Sequence, residues 1–299
     1  VQVLSARRYD FNQPYAICSD GGATWVVNYG NDTVTEIDAS TGALVRVLSA
    51  RSYDFDYPVS IASGGTHVWV ANIGNDTVTE IDASTGALVQ VLAAPAYGFK
   101  DPDSVSSDGT HMWVGNFAGA SVTEIDASTG ALIQVLSAPK YHFDDSPAAI
   151  SSDGTHVWVA NLSNAVTEID ASNGALVRVL SASSYGFDTP AAISADGTHV
   201  WVANSVNKSV TEIDASTGAL VQVLSASKYG IDEPQAVSSD GDNVWVANFG
   251  NRSVTEINAS TGALVRVISA RKFGSGGPEA VFSHGTDVWV GESVGAPPR

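Results

Sequence analysis

Short apolar runs recur along the chain and are cut by Gly, Asp, Asn, Ser and Thr before any of them reaches helical length. The stretch Pro190 to Ala226 reads PAAISADGTHVWVANSVNKSVTEIDASTGALVQVLSA and holds four such runs, AAIS, HVWVAN, SVTEID and ALVQVLS. Their Val-rich composition and close turn residues predict β-strands. Between the first two runs, Ala-Asp-Gly-Thr supplies a turn-capping carboxylate and a glycine that accepts a positive φ. Between the last two, Asp-Ala-Ser-Thr-Gly does the same over a longer loop, with Asp214 placed to bond the amides that follow and Gly218 to take the left-handed position.

Strands one, two and four of this unit are apolar on both faces. A sheet standing alone in water does not tolerate that, whereas one packed between neighbours requires it. The unit also repeats. The chain has seven Trp, at positions 25, 69, 113, 158, 201, 245 and 289, each in the second strand of a unit and spaced by about 44 residues. The predicted fold class is therefore all-β, a seven-bladed β-propeller of four-stranded antiparallel blades in a single domain spanning 1–299. The tryptophans are expected to fill the space between blades. Val1 to Ala6, VQVLSA, matches a fourth strand and is expected to join residues 278–293 in the last blade. The sequence after Ser293, VGAPPR, has no T-E-I-D, so that blade lacks an evident third strand or the array continues beyond Arg299.

Composition adds little to the functional picture. The formal net charge is −18, but half of the 32 acidic residues come from the repeated T-E-I-D phrase and the D-G turns. The acidity makes nucleic acid an unexpected partner. The single cysteine, Cys18, has no partner in the chain and reads as a small buried hydrophobe. No apolar run approaches the ~20 residues needed to span a bilayer. No membrane insertion is expected, with any secretion signal removed or never present, and a closed ring is expected to be monomeric.

The phrases VWVAN, SVTEID and STGALV resemble YVTN-type propeller repeats, and the rhythm P-x-x-I…VW is similar to streptogramin (virginiamycin B) lyase. WD-repeat propellers are disfavoured, since no W-D pair occurs. The first resemblance implies a scaffold or binding propeller in an extracytoplasmic setting. The second implies a metal-assisted elimination with a His as proton carrier and carboxylates holding the cation. Glu279 stands where that lyase carries its His, His284 falls on the opposite hairpin, and His142 lies in an outer loop. A third reading is a recently amplified or consensus array with no evolved ligand.

Seven copies in one chain allow an internal comparison. What repeats in every copy is explained by packing or turn geometry, whereas a single site must break the repetition. The recurring Glu of T-E-I-D, the His at 67, 111, 156 and 199, and the Tyr at 9, 53, 97, 141, 185 and 229 are read as structural, the tyrosines pinning each connection to the next blade. The breaks fall where the fourth-to-first and second-to-third connections meet the channel mouth. After the Pro that opens the first strand stand Tyr15, Val59, Asp103, Ala148, Ala191, Gln235 and Glu279. At the end of the second strand stand Asn28, Asn72, Asn116, Asn161, Asn204 and Asn248, then Glu292. The candidate ligand-binding set is accordingly Tyr15, Asn28, Asn72, Asp103, Asn116, Asn161, Asn204, Gln235, Asn248, Glu279 and Glu292. It suits a small molecule, a glycan or a protein segment, with no catalytic residue assigned. No cofactor is expected beyond a possible divalent cation, for which Glu279 and Glu292 are the candidates.

Overall fold

The protein is described by a computed structural model that covers residues 2–4, 6–93, 95–137, 139–143, 146–181, 183–269 and 276–293. Six four-stranded antiparallel sheets follow one another along the chain. Blade one is β1 (Pro14–Ser19), β2 (Ala23–Asn28), β3 (Thr33–Asp38) and β4 (Leu44–Ser49). Blade two is β5 (Pro58–Gly64), β6 (His67–Asn72), β7 (Thr77–Asp82) and β8 (Leu88–Ala93). Blade three is β9 (Pro102–Ser107), β10 (His111–Asn116), β11 (Ser121–Asp126) and β12 (Leu132–Ser137). Blade four is β13 (Pro147–Ser152), β14 (His156–Asn161), β15 (Ala165–Asp170) and β16 (Leu176–Leu180). Blade five is β17 (Pro190–Ala195), β18 (His199–Asn204), β19 (Ser209–Asp214) and β20 (Leu220–Ser225). Blade six is β21 (Pro234–Ser239), β22 (Asn243–Asn248), β23 (Ser253–Asn258) and β24 (Leu264–Ser269). The last sheet has two strands, β25 (Gly277–His284) and β26 (Asp287–Ser293).

The expectation of seven four-stranded blades is thus corrected: six have four strands, and residues 277–293 form a sheet of two. The inner strands still make a closed ring, with β25 packed against β21 on one side and β1 on the other. Among the described residues the N-terminal segment forms no fourth strand either. Residues 2–4 carry no strand and Ala6–Tyr9 forms one helical turn, while Val1 and Ser5 lie outside the described residues. The physical reason is that a fourth strand hydrogen-bonds only to a third, and among the described residues β26 has no third strand beside it.

Burial follows position in the blade. Second and third strands are buried along nearly their whole length on both faces, whereas fourth strands alternate as outer edges do. Val89 and Val221 of the fourth strands are exposed. The apolar fourth strand is therefore an edge, and the polar-looking T-E-I-D strand is the buried one. Trp25, Trp69, Trp113, Trp158 and Trp201 are fully buried in clusters that join each blade to the next.

Two polar devices fix the interfaces between blades. Inner-strand serines reach the free backbone of the neighbouring inner strand, as when the Ile150 amide donates to Ser104 Oγ at 2.9 Å and the Ser239 amide to Ser194 Oγ at 3.0 Å. The repeated tyrosine of each of the six connecting loops is held twice. Tyr229 donates its hydroxyl to the Gly262 carbonyl at 2.9 Å and accepts, on its own carbonyl, the Thr255 hydroxyl at 2.9 Å. The same pair of bonds recurs at Tyr9, Tyr53, Tyr97, Tyr141 and Tyr185.

Candidate functional site

Every inner strand enters the sheet through the same irregularity. Its opening Pro pairs with the last residue of the second strand, as Pro14 with Asn28 and Pro278 with Glu292, and the register then skips one residue. The skipped residue is a bulge, and bulges re-aim side chains at the rims of closed sheets. The residue before the Pro is left-handed in all six blades, at Gln13, Tyr57, Asp101, Ser146, Thr189 and Glu233, with φ between 48° and 64°. Side chains there are strained, so the geometry is imposed by the surrounding loop.

The bulged residues are Tyr15, Val59, Asp103, Ala148, Ala191, Gln235 and Glu279, and all seven line one central cavity of about 280 Å³. Its wall is unequal. Ala148 and Ala191 leave one side open and small, while Tyr15, Asp103, Gln235 and Glu279 supply polar atoms from the rest. Burial, aided by the neighbouring Asp101, pushes the Asp103 carboxyl up to about 6. Burial also raises the Tyr15 hydroxyl, with the charges of Asp103 and Glu279 next in effect, so these three groups share one electrostatic environment. Glu279 is buried. At the rim, Tyr15 and Tyr29 lie 6.0 Å apart and Tyr29 and Tyr57 5.2 Å apart by ring centroid. Tyr57 is half exposed and is a residue the sequence comparison missed. Its signal was an aromatic side chain directly before a strand-opening Pro.

The asparagines are placed otherwise. Asn28, Asn72, Asn116, Asn161, Asn204 and Asn248 are fully buried and do not line the cavity. Their amides point into the blade: Asn72 Nδ2 donates to Thr77 Oγ1 at 3.1 Å and to Thr79 Oγ1 at 3.0 Å. Asn248 does the same with Ser253 and Thr255. The ring of amides is a set of strand-to-strand clasps, legible as a Ser or Thr five and seven residues after most of the asparagines. Glu292 also stands off the cavity, and it is half-buried, with its carboxyl raised by burial. Among the described residues no three His, Cys, Asp or Glu side chains come together as metal ligands.

The remaining chemistry is internal to the blades. The T-E-I-D glutamates are buried, each beside a Gln or Arg of the fourth strand, as Gln90 donates to Glu80 at 2.6 Å and Arg46 pairs with Glu36 at 2.7 Å. His67, His111, His156 and His199 each face the glutamate of their own blade at 3.5 to 3.7 Å and do not converge. His284 packs against Gly21, at the hairpin end opposite the bulges. A wider, open cavity of about 470 Å³ at that end is lined by the repeated D-G turns. The turn carboxylates of Asp108, Asp153 and Asp196 already accept two backbone amides each. Phe273 and the start of the Gly-rich loop lie outside the described residues. No helix among the described residues is long and apolar enough to cross a membrane.

The repeated four-stranded sheets about a central channel make the chain a β-propeller. Among solved structures it is similar to hydrazine synthase of Kuenenia stuttgartiensis, with a TM-score of 0.73 at 16% identity over 97% of this chain and 98% of that one. That likeness shows the fold alone. No family model matches the chain, and no curated protein matches it.

Proposed function

We propose that the chain is a non-catalytic propeller scaffold or binding module of the kind its YVTN-like motifs suggest, whose ligand sits where the bulged residues meet the channel. One observation carries this reading: the seven equivalent bulges share a cavity, and their side chains differ. Repetition accounts for the D-G turns, the histidines and the asparagines, whereas nothing in the packing requires Tyr15, Asp103, Gln235 and Glu279 to differ from Ala148 and Ala191. Carboxylate and amide acceptors beside tyrosine faces suit a small polar ligand with hydroxyl groups, and a glycan fits best. A divalent cation would find Glu279 in the cavity but not Glu292.

The test is a calorimetric screen of oligosaccharides and divalent cations against the wild type and the Tyr15→Phe, Asp103→Asn, Glu279→Gln and Glu292→Asn variants. A saturable ligand weakened about tenfold by each of the first three, as expected for a lost hydrogen bond to a charged or polar group, and unaffected by the last, supports the site. Binding equal in all five proteins, or none across the panel, overturns it.

A further inference from the structure

The core clusters contain a gap of defined shape. Six of them join a second-strand Trp, a third-strand Val and a fourth-strand Leu or Ile to the next unit, as Trp69, Val78 and Leu92 do, and Trp201, Val210 and Leu224. The cluster between the two-stranded sheet and blade one has Trp289 and Leu4 against Tyr9, Val26 and Ile37, with none of the described residues in the middle place. The exposures agree. Val290 is 38% exposed, whereas its counterparts Val70, Val114 and Val202 are at 0%.

The far side of the gap is also in place. Fourth-strand glutamines pack against a turn glycine of the following unit, Gln90 against Gly130, Gln134 against Gly174 and Gln222 against Gly262, and Gln2 packs against Gly42 in the same manner. In the blades those glutamines bond the third-strand glutamate at 2.6 Å. Gln2 thus stands ready for a carboxylate that no described residue brings. On the near side Glu292 occupies the register place of the clasping asparagines, with no strand hydroxyls in front of it among the described residues.

We infer that the outer edge of β26 accepts an added β-strand from another polypeptide, an extended segment of the type Ser/Thr-Val-Thr-Glu-Ile. Backbone pairing along β26 supplies the ladder, the Val enters between Trp289 and Leu4, the Glu meets Gln2, and the two hydroxyls donate to Glu292. The third strands of the chain are the templates for this occupant: five of the six have that pattern, and the sixth has Ala165 in place of the first hydroxyl residue.

The probe is a synthetic peptide of residues 251–260, NRSVTEINAS, titrated into the full chain by fluorescence anisotropy, with hydrogen exchange followed along the protein. The expected result is saturable binding that slows exchange in 287–292 and leaves 243–248 unchanged. The peptide with Asp in place of its Val should bind at least about tenfold more weakly, since a charge would enter the apolar gap. Glu292→Asn, which restores the clasping amide, should tighten binding severalfold. No saturable binding, equal binding of the Asp peptide, or protection away from β26 overturns the inference. So does a dimer at working concentration that protects 287–292 without peptide, since the edge is then taken by a second copy.

Discussion

Arg178 ion-pairs with the fully buried Glu168 at 2.7 Å within blade four, and its guanidinium also donates to the Thr217 carbonyl of blade five. One side chain therefore compensates a buried charge and ties two blades together. Arg178→Ala should destabilise the protein by about 3 kcal/mol, because it leaves a carboxylate without its cation in a dry site. Arg178→Gln should cost less than about 1 kcal/mol, since a Gln already serves the same glutamate in blades two, three and five. Urea denaturation of the two variants checks the contrast, and equal losses would contradict it.

Asp103 sets a pH dependence near the channel. Its folded carboxyl titrates at about 6 against an ordinary 3.8, raised by burial, so the folded chain holds this proton more tightly than the unfolded one. The stability tied to Asp103 is complete below pH 3.8 and is lost as pH rises through 6, on the order of 2 to 3 kcal/mol. Asp103→Asn should remove that slope and raise Tm at pH 8 relative to wild type. Melting curves at pH 4, 6 and 8 decide it.

The loop aspartates act in the opposite sense. Hydrogen bonds from the hydroxyls of Ser84 and Thr85 hold Asp82 down at about 2, and those of Thr217 and Ser216 hold Asp214 there. Their contribution is present above pH 3.8 and is lost as pH falls through 2. Asn258 accepts the equivalent bonds from Ser260 and Thr261 as a neutral group. Asp82→Asn should accordingly keep the turn while flattening the acid limb, and Asp82→Ala should lower stability across the whole range. Circular dichroism from pH 7 to 2 separates the two.

Tyr229→Phe removes a single hydroxyl and leaves the Gly262 carbonyl without its donor at a buried contact. A loss of about 1 to 2 kcal/mol is expected. The bond from the Thr255 hydroxyl to the Tyr229 carbonyl should survive, so the loop should stay docked and amide exchange along 253–258 should change little.

Much of this architecture is legible in residue order because turn residues punctuate every strand and one Trp marks every second strand. Counting tryptophans nevertheless counts second strands alone. Trp289 announces a unit but says nothing of whether a third strand lies beside it, and hence the expected seven four-stranded blades become six and a two-stranded sheet. The bulged ring was readable because Tyr15, Asp103, Gln235 and Glu279 break a pattern that Ala148 and Ala191 keep simple. The asparagines are ambiguous in the sequence because a polar residue at a strand end looks the same whether it faces a channel or a neighbouring hydroxyl. Only pairing of Asn72 with Thr77 and Thr79 distinguishes the two.

The two-stranded sheet also bears on how the ring breathes. Among the described residues its wall is four strands deep at six places and two at one, so the lowest-energy opening should be a parting at β25 and β26 that leaves every four-stranded blade whole. Such a parting makes a side door onto the same cavity that the bulged residues line from above. The proposed ligand would then enter through the wall as well as through the mouth, and its exchange rate would follow the stability of a single hairpin.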